Sequence, residues 1–590
     1  MRSGVAGTGS LRAAGLASAR GVTVSLMVAL LCAACATDSD QPVVLYRFID
    51  HEGSSETHLK KIDDLSLPIL DPWQEENVFE LPSGTPQSQL RFRVGFPENS
   101  AGAVVRFEIT QRRGDAEPVS IFEKEVSAVG WSDEELSIAG DATPTTLTFR
   151  RTLLKGPIER LLRTGWGNPM LVTGRERADR PSVILVSLDT LRADRVGTYG
   201  HPGARTPTLD RLAAEGVAFE SAYSPSTWTM PSHASLFYGV HSFAFPDDFH
   251  KWRLPDWPDP STRPLAEVFR DAGYLTAGFT GGGLLSELFG FADGFDTYFA
   301  YEPSGGKTAW CPPDRLDGAE VFERTRRWLD RNSSLPFFLF VHTYDVHDVC
   351  PFRKPSKDPW APPPDLDPEG QKQRAAYYDQ MVASVDELLG DLLAQLEELG
   401  IAQDTLLIVT SDHGEGFWEH GENGHGEWMK LYEEIARVPL LLHWPARLPA
   451  GVRVEDPVSL VGLAPTILAL AGLPEASWMD EAPLPGLGLE NPPPQVVIAQ
   501  SGRWMAVRAG RHKLLTSLEN DGTSDELYDL RDDPKERVNL VDRLPDVHRE
   551  LRRHADRHRE RIASWTLPPA EPVELDEATL QRLRDLGYLQ

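Results

Sequence analysis

The segment Val183-Ile184-Leu185-Val186-Ser187-Leu188 is almost uninterrupted apolar sequence, and Asp189 follows it directly. A strand with no polar alternation is buried on both faces, the condition of a parallel sheet covered by helices on either side. Phe337 to Val341 and Leu406 to Thr410 read the same way, and Val438 to Leu442 is a further candidate. Helical spacing lies between and around them, near 206–215, 263–272, Arg315 to Asn332 and Tyr377 to Leu399. Strands alternating with helices predict a large α/β sheet domain, placed here at 180–475. In such a sheet, ligands collect beyond the carboxyl ends of the strands.

The rest of the chain reads differently. Residues 42–165 alternate apolar and polar, as in Leu90-Arg91-Phe92-Arg93-Val94 and Val105-Arg106-Phe107-Glu108-Ile109. Val43 to Phe48, Val119 to Val126 and Thr146 to Arg150 are further short strands. Period-two alternation predicts strands with one wet face, hence a β-sandwich-like N-terminal domain, either glycan-binding or a spacer. Residues 490–590 carry short strands (Val496 to Ala499, Trp504 to Arg508, His512 to Leu515) and a charged helix from Asp546 to Ile562.

At the start, Arg2, Arg12 and Arg20 precede an apolar run from Val22 to Ala34. That run is shorter than the ~20 residues a permanent span needs, and the order basic–apolar–small marks a secretory signal. Leu30-Leu31-Cys32-Ala33-Ala34-Cys35 resembles a bacterial lipoprotein signal with Cys35 acylated, although Cys32 departs from that pattern. Segment 1–35 is therefore expected to export the chain and hold it by lipid to the bacterial cell envelope, in the periplasm or at the cell surface. In an oxidising compartment, an antiparallel helix–strand pair would bring Cys311 and Cys350 to one side. They are expected to form a disulfide; two separate thiols is the alternative. The net charge of −29 excludes a nucleic-acid-binding reading, which needs clustered basic residues.

Four clusters carry the candidate chemistry. They are Asp189-Thr190-Leu191-Arg192; Thr229-Met230-Pro231-Ser232-His233, in a turn opening a helix; His342-Thr343-Tyr344-Asp345-Val346-His347-Asp348; and Ser411-Asp412-His413-Gly414-Glu415, with Glu419-His420 and His425 beyond. Three follow buried strands. Carboxylates and imidazoles gathered at strand ends are the donor set of a divalent-metal site. Taken singly, each has a plainer reading: Asp189 as a helix cap, Thr229 as a turn residue, His347 and His425 as ordinary surface or core histidines.

Taken together and in order, these pieces resemble the sulfatase branch of the alkaline phosphatase superfamily. The matching segments are 186–194 (VSLDTLRAD), 231–236 (PSHASL), 294–296 (GFD), 411–415 (SDHGE), 437–440 (RVPL), 464–468 (APTIL) and 527–540 (LYDLRDDPKERVNL). The resemblance implies an alkaline-phosphatase/sulfatase-like α/β sandwich and a C-terminal subdomain with a small antiparallel sheet. It also implies an ester hydrolase with metal ligands Asp189, Asp412, His413 and Thr229. Thr229 matches the nucleophile, His347 a histidine close to the scissile ester, and His425 lies near a position where formylglycine-dependent sulfatases carry Lys. His413 stands where those enzymes have Asn and phosphodiesterase-like relatives have His.

Three departures stand out. The nucleophile is Thr229, whose oxidation would give a ketone, so no formylglycine is expected. His233 replaces the arginine of the family motif. Thr190 replaces the second aspartate of the usual pair. The expected reaction therefore has Thr229, activated by one divalent ion (Mn, Zn, Ca or Mg), attack a phosphoryl or sulfuryl centre and form a covalent intermediate. His347 would protonate the leaving group, and His425 or His233 would bind the anion. A second ion at Asp345, His347 and His425 is the alternative. Phosphodiester or phosphonate substrates are slightly preferred over sulfate, in a small molecule, glycan or lipid. The competing readings are a sulfatase acting without formylglycine, an envelope phosphotransferase, and a non-catalytic glycan-binding surface lipoprotein.

Overall fold

Strand follows helix along most of the chain from Ser182, as the apolar runs require, in a computed structural model. The structure describes residues 43–564, apart from 246–261, 302–316, 348–365, and the shorter stretches 52–57, 63–64, 71–73, 82–83, 97–101, 141, 158–160, 162–163, 174–179, 475, 490–495 and 520–523. The signal segment with Cys35, the expected disulfide partners Cys311 and Cys350, and Asp348 lie outside the described residues.

The three runs of the sequence are neighbouring parallel strands. Ser182–Leu188 lies between Phe337–Thr343 and Thr405–Thr410, with Ser187 level with both His342 and Thr410. Their carboxyl ends therefore share one rim, and the residues just beyond them are brought together without long loops. Val183 and Leu185 face one core and Ile184, Val186 and Leu188 the other, which is why this strand carries no polar alternation. Leu440–His443 pairs antiparallel on the far side of Thr405–Thr410, so the sheet is mixed. The helices Leu265–Asp271 and Pro368–Glu398 confirm the helical spacing of the sequence, the second beginning nine residues earlier than its apolar pattern. At its start Asp367 caps the Gly370 amide and Pro368 occupies the first turn, polar signals that apolar spacing does not register.

The N-terminal strands form two stacked layers, as the alternation predicts, but one layer is the end of the main sheet. Leu65–Ile69 pairs with Thr297–Ala300, and Gly165–Thr173, Ser88–Phe96 and Gly130–Ile138 continue outward, giving one sheet of fourteen strands among the described residues. The second layer is Glu76–Leu81, Thr145–Lys155, Val104–Arg113 and Val119–Val126. Between them lies a core centred on Trp166, whose ring meets Phe92, Phe107 and Phe149 edge-on. The C-terminal region holds a four-stranded antiparallel sheet (Val497–Ser501, Trp504–Ala509, His512–Ser517, Glu526–Asp529) backed by the helix Pro545–Ser564. Among the described residues, no helix is long and apolar enough to cross a membrane.

One buried ion pair ties the outer strands to the α/β core. Arg47 meets Asp296 through two hydrogen bonds of 2.7 and 2.8 Å and also donates to the carbonyls of Arg270 and Tyr274. Both side chains are almost fully buried. Asp296 belongs to the Gly-Phe-Asp segment of the sequence, and that segment is thereby structural. Burial alone would raise the Asp296 carboxyl; Arg47 outweighs it and holds it below the usual range. Its contribution is present at neutral pH and fades as acid protonates the carboxylate. Replacing one partner leaves a buried charge alone, at a cost of about 3–5 kcal/mol. Arg47→Met is expected to lower the chemical-denaturation midpoint accordingly, and the double change with Asp296→Leu should recover most of the loss.

Candidate active site

Asp189 turns off the Ser182–Leu188 strand into a cramped loop. Thr190, the next residue, has φ of +59°, a left-handed conformation that a β-branched residue rarely adopts. The turn aims the Thr190 amide at Asp412 Oδ1, at 3.2 Å, and its carbonyl accepts from the Tyr378 hydroxyl at 2.7 Å. The strain sits against the candidate ligands, where backbone outliers are found when geometry is over-determined.

Thr229 opens the helix Thr229–Tyr238, all of whose residues are buried. Its Oγ1 donates to Asp189 Oδ2 at 3.3 Å. The helix start gives this oxygen a positive field, which favours developing negative charge. His233, one turn on, has both ring nitrogens engaged: Nε2 with Ser187 Oγ at 2.9 Å and Nδ1 with the Thr229 carbonyl at 2.8 Å. It locks the Thr229 turn against the sheet and is fully buried.

Asp412 and His413 follow the Thr405–Thr410 strand, and both are fully buried. His413 Nδ1 lies 2.9 Å from the Gly414 carbonyl. A carbonyl only accepts, so Nδ1 carries the proton and Nε2 presents a lone pair. That lone pair lies 3.3 Å from Asp412 Oδ2. Asp189 Oδ1, Asp412 Oδ2 and His413 Nε2 are all buried without a hydrogen-bond partner. One ligand atom from each of these residues falls within 4.8 Å of the others. Three acceptors turned toward one another with no donor between them are an unfavourable arrangement in a protein interior. A divalent cation resolves it, so the donor set fits the expected metal. Among the described residues this is the single such group. Among the described residues the alternative second site is not assembled, because the ligand atoms of Asp345, His347 and His425 do not converge; Asp345 Oδ1 instead accepts from the Gly318 amide at 2.9 Å, holding the start of the helix Asp317–Asn332.

Protonation follows the same geometry. Burial and the adjacent Asp412 push the Asp189 carboxyl well above its usual range. Burial also works against Asp412, but His413, His233 and His342 outweigh it and hold it low. Burial lowers His413 to about 4 despite the pull of Asp412, so its imidazole is neutral at physiological pH and free to ligate. His347 and His425 lie side by side at the site, their rings 4.8 Å apart, with His425 4.6 Å from His413. The His425 side chain retains 12% exposure.

The structure adds residues to which the sequence assigned no role. His342 Nε2 lies 3.2 Å from Asp189 Oδ2, and its Nδ1 is buried without a partner. A histidine inside an otherwise apolar strand run was the available signal. Glu415 and Arg374 form a buried pair at 2.8 Å. Glu415 lay within the Ser-Asp-His-Gly-Glu piece, but Arg374 precedes the apolar spacing from Tyr377 that marked the helix.

The family model of the sulfatases matches residues 181–473, and that of the N-sulphoglucosamine sulphohydrolase C-terminal region matches 421–561. The chain belongs to the sulfatase/alkaline phosphatase-like superfamily. Arylsulfatase A of Bos taurus is 27% identical over 495 residues, covering 70% of this chain and 94% of that protein. An uncharacterized sulfatase of Escherichia coli is 27% identical over 475 residues, covering 66% and 90%. In fold, the chain resembles a 2-O GAG sulfatase (TM-score 0.55, 20% identity, 65% of this chain and 93% of that one). It also resembles the phosphonate monoester hydrolase of Agrobacterium radiobacter (TM-score 0.52, 21% identity, 65% and 96%). The sulfatase superfamily assignment makes this chain an ester hydrolase.

A cation bound between Asp189, Asp412 and His413 stabilises the folded state by mass action, about 2.7 kcal/mol at a free concentration a hundred times Kd. Stripping divalent ions with a chelator should lower the melting temperature, and adding Mn²⁺, Zn²⁺, Ca²⁺ or Mg²⁺ should restore it. In Asp412→Ala the response should vanish and elemental analysis should find less than stoichiometric metal.

Proposed function

We propose that the chain is a metal-dependent hydrolase of monoanionic tetrahedral esters, with Thr229 as the nucleophile. The observation that carries this is the Thr229 hydroxyl, 3.3 Å from Asp189 at a helix start and beside the unpartnered acceptor atoms. Asp189, Asp412, His413 and Thr229 would hold the ion, which when bound supplies positive charge for the anionic oxygens of the ester and for the attacking threonine. The Thr229 proton leaves along its hydrogen bond to Asp189 Oδ2. The threonine oxygen then bonds to phosphorus or sulfur as the ester oxygen departs. His347 and His425 serve that departure, one protonating the leaving oxygen and the other binding the anion. Water attack frees the threonine and Asp189 returns its proton.

Charge supports the monoanion. Arg192, which borders the cluster, is committed to Asp194 and Glu419, and Arg374 to Glu415. One divalent ion and two imidazoles match a singly charged ester better than a phosphate monoester dianion. Within that class, a threonine in place of a formylglycine precursor, and an imidazole at His413, support phosphodiester or phosphonate substrates. The second reading, sulfate esters, is supported by the relatives named as sulfatases. A glycan carrier is supported by the glucosamine disulfate bound to one fold neighbour. Export and acylation at Cys35 rest on the composition of residues 1–35.

Thr229→Ala should reduce turnover of aryl sulfate, phosphodiester and phosphonate esters by at least about 10³-fold with the fold intact. Retained activity in that variant would remove the nucleophile assignment. Mass spectrometry of rapidly quenched enzyme should place the covalent group on the peptide containing Thr229. The ratio of sulfate to phosphodiester turnover decides between the two substrate readings. In the bacterial host, labelled palmitate should enter the parent protein and not Cys35→Ser.

A further inference from the structure

His425 stands at the site on an unusual footing. It directly follows the two-stranded hairpin Gly416–Phe417 with Asn423–Gly424, and its Nδ1 is 2.8 Å from Glu415 Oε2. The other carboxylate oxygen, Oε1, accepts from Arg374 at 2.8 Å. The Glu415 backbone is fixed as well: its amide donates to the Glu434 carbonyl at 3.1 Å and its carbonyl accepts from Arg192 at 2.8 Å. Arg374 is itself nearly fully buried, with its guanidinium over the rings of Phe417 and Trp418 at 5.0 and 5.4 Å. A carboxylate between an arginine and an imidazole accepts from both.

This fixes the tautomer of His425. With Nδ1–H committed to a carboxylate, Nε2 is the one ring atom left for the site, and the ring cannot turn without breaking a charge-assisted hydrogen bond. The neighbouring His347 meets the rings of Tyr344 and His425. A carboxylate that orients an imidazole and stabilises its protonated form is the arrangement general acid–base histidines use.

We propose that Glu415, anchored by Arg374, is the positioning residue that makes His425 Nε2 the proton donor to the leaving oxygen. His347 is then the anion-binding imidazole, the reverse of the roles expected from the sequence. The proposal rests on the ester hydrolysis at Thr229 set out above. In the first step the bond from phosphorus or sulfur to the leaving oxygen breaks, and its electron pair stays on that oxygen. The oxygen takes the Nε2 proton, while the Thr229 proton is held at Asp189. In the second step Nε2 takes a proton from the attacking water, the bond to Thr229 breaks, and Asp189 returns its proton to the threonine oxygen. The enzyme ends as it began.

The test uses the metal-loaded full chain and a series of aryl and alkyl esters whose leaving groups differ in acidity, on whichever ester class the parent enzyme turns over. A lost proton donor matters most where the leaving oxygen is most basic, and general acids supply about 10²–10⁴-fold. Glu415→Gln and His425→Ala should each steepen the dependence of kcat/KM on leaving-group pKa. The expected loss is about 10²-fold or more for alkyl esters and at least tenfold smaller for 4-nitrophenyl esters. The double variant should be no worse than His425→Ala alone. Glu415→Asp, which keeps the charge, should recover part of the alkyl-ester rate. Equal losses across the series, no loss in Glu415→Gln, or additive losses in the double variant would overturn the proposal. Thr229→Ala runs beside them: if it retains turnover, the underlying nucleophile reading fails instead, whatever Glu415 does.

Discussion

Three acceptor atoms with no donor among them, on Asp189, Asp412 and His413, set the terms for everything around them. Left alone they would repel and invite water into a fully buried place. The fold contains the conflict by sharing it out. Asp412 Oδ1 is satisfied by the amides of Thr190 and His413, and Asp189 Oδ2 by Thr229 and His342, so one oxygen of each carboxylate remains for the ion. The strained turn at Thr190 and the ring of His413, pinned to the Gly414 carbonyl, are part of that arrangement. It is costly to the apo protein and useful to a holoenzyme, as functional sites commonly are.

The sheet makes this assembly routine. Asp189, His342 and Asp412 come from three adjacent parallel strands in one register, so their separation is set by backbone hydrogen bonds. Thr229 arrives from a helix on the same rim, and His233 ties that helix back to Ser187 on the central strand. His347 comes from the turn after Phe337–Thr343, and His425 directly follows the Asn423–Gly424 strand. There the buried Arg374–Glu415 pair fixes the carboxylate that meets His425.

Much of this was legible in the sequence because the signals were local. Unbroken apolar runs marked the central strands, and polar residues just past their ends marked the rim. Asp189, Asp412 and His413 were within reach of that rule, and Thr229 was marked by its place in the family motif. What escaped it depends on contacts between distant segments. Arg374 looks like one more charged residue on a long helix until the helix is seen to pass Glu415, forty-one residues later. His233 carries a motif position that suggested anion binding, yet both of its nitrogens point at protein. Asp345 seemed a metal ligand from its company of histidines, but it serves the amide of Gly318. Spacing tells which side chains are neighbours and not which partner each prefers.

The continuity of the main sheet carries a consequence of its own. The N-terminal layers look detachable in the sequence, since their alternation differs from the apolar runs that follow. Yet Leu65–Ile69 completes the ladder beside Thr297–Ala300. Shortened versions of the chain that start at the α/β region would bare that strand's amides and carbonyls to solvent. An unpaired, largely apolar edge of this kind is a template for other chains, so removing the N-terminal layers would leave a domain prone to self-association.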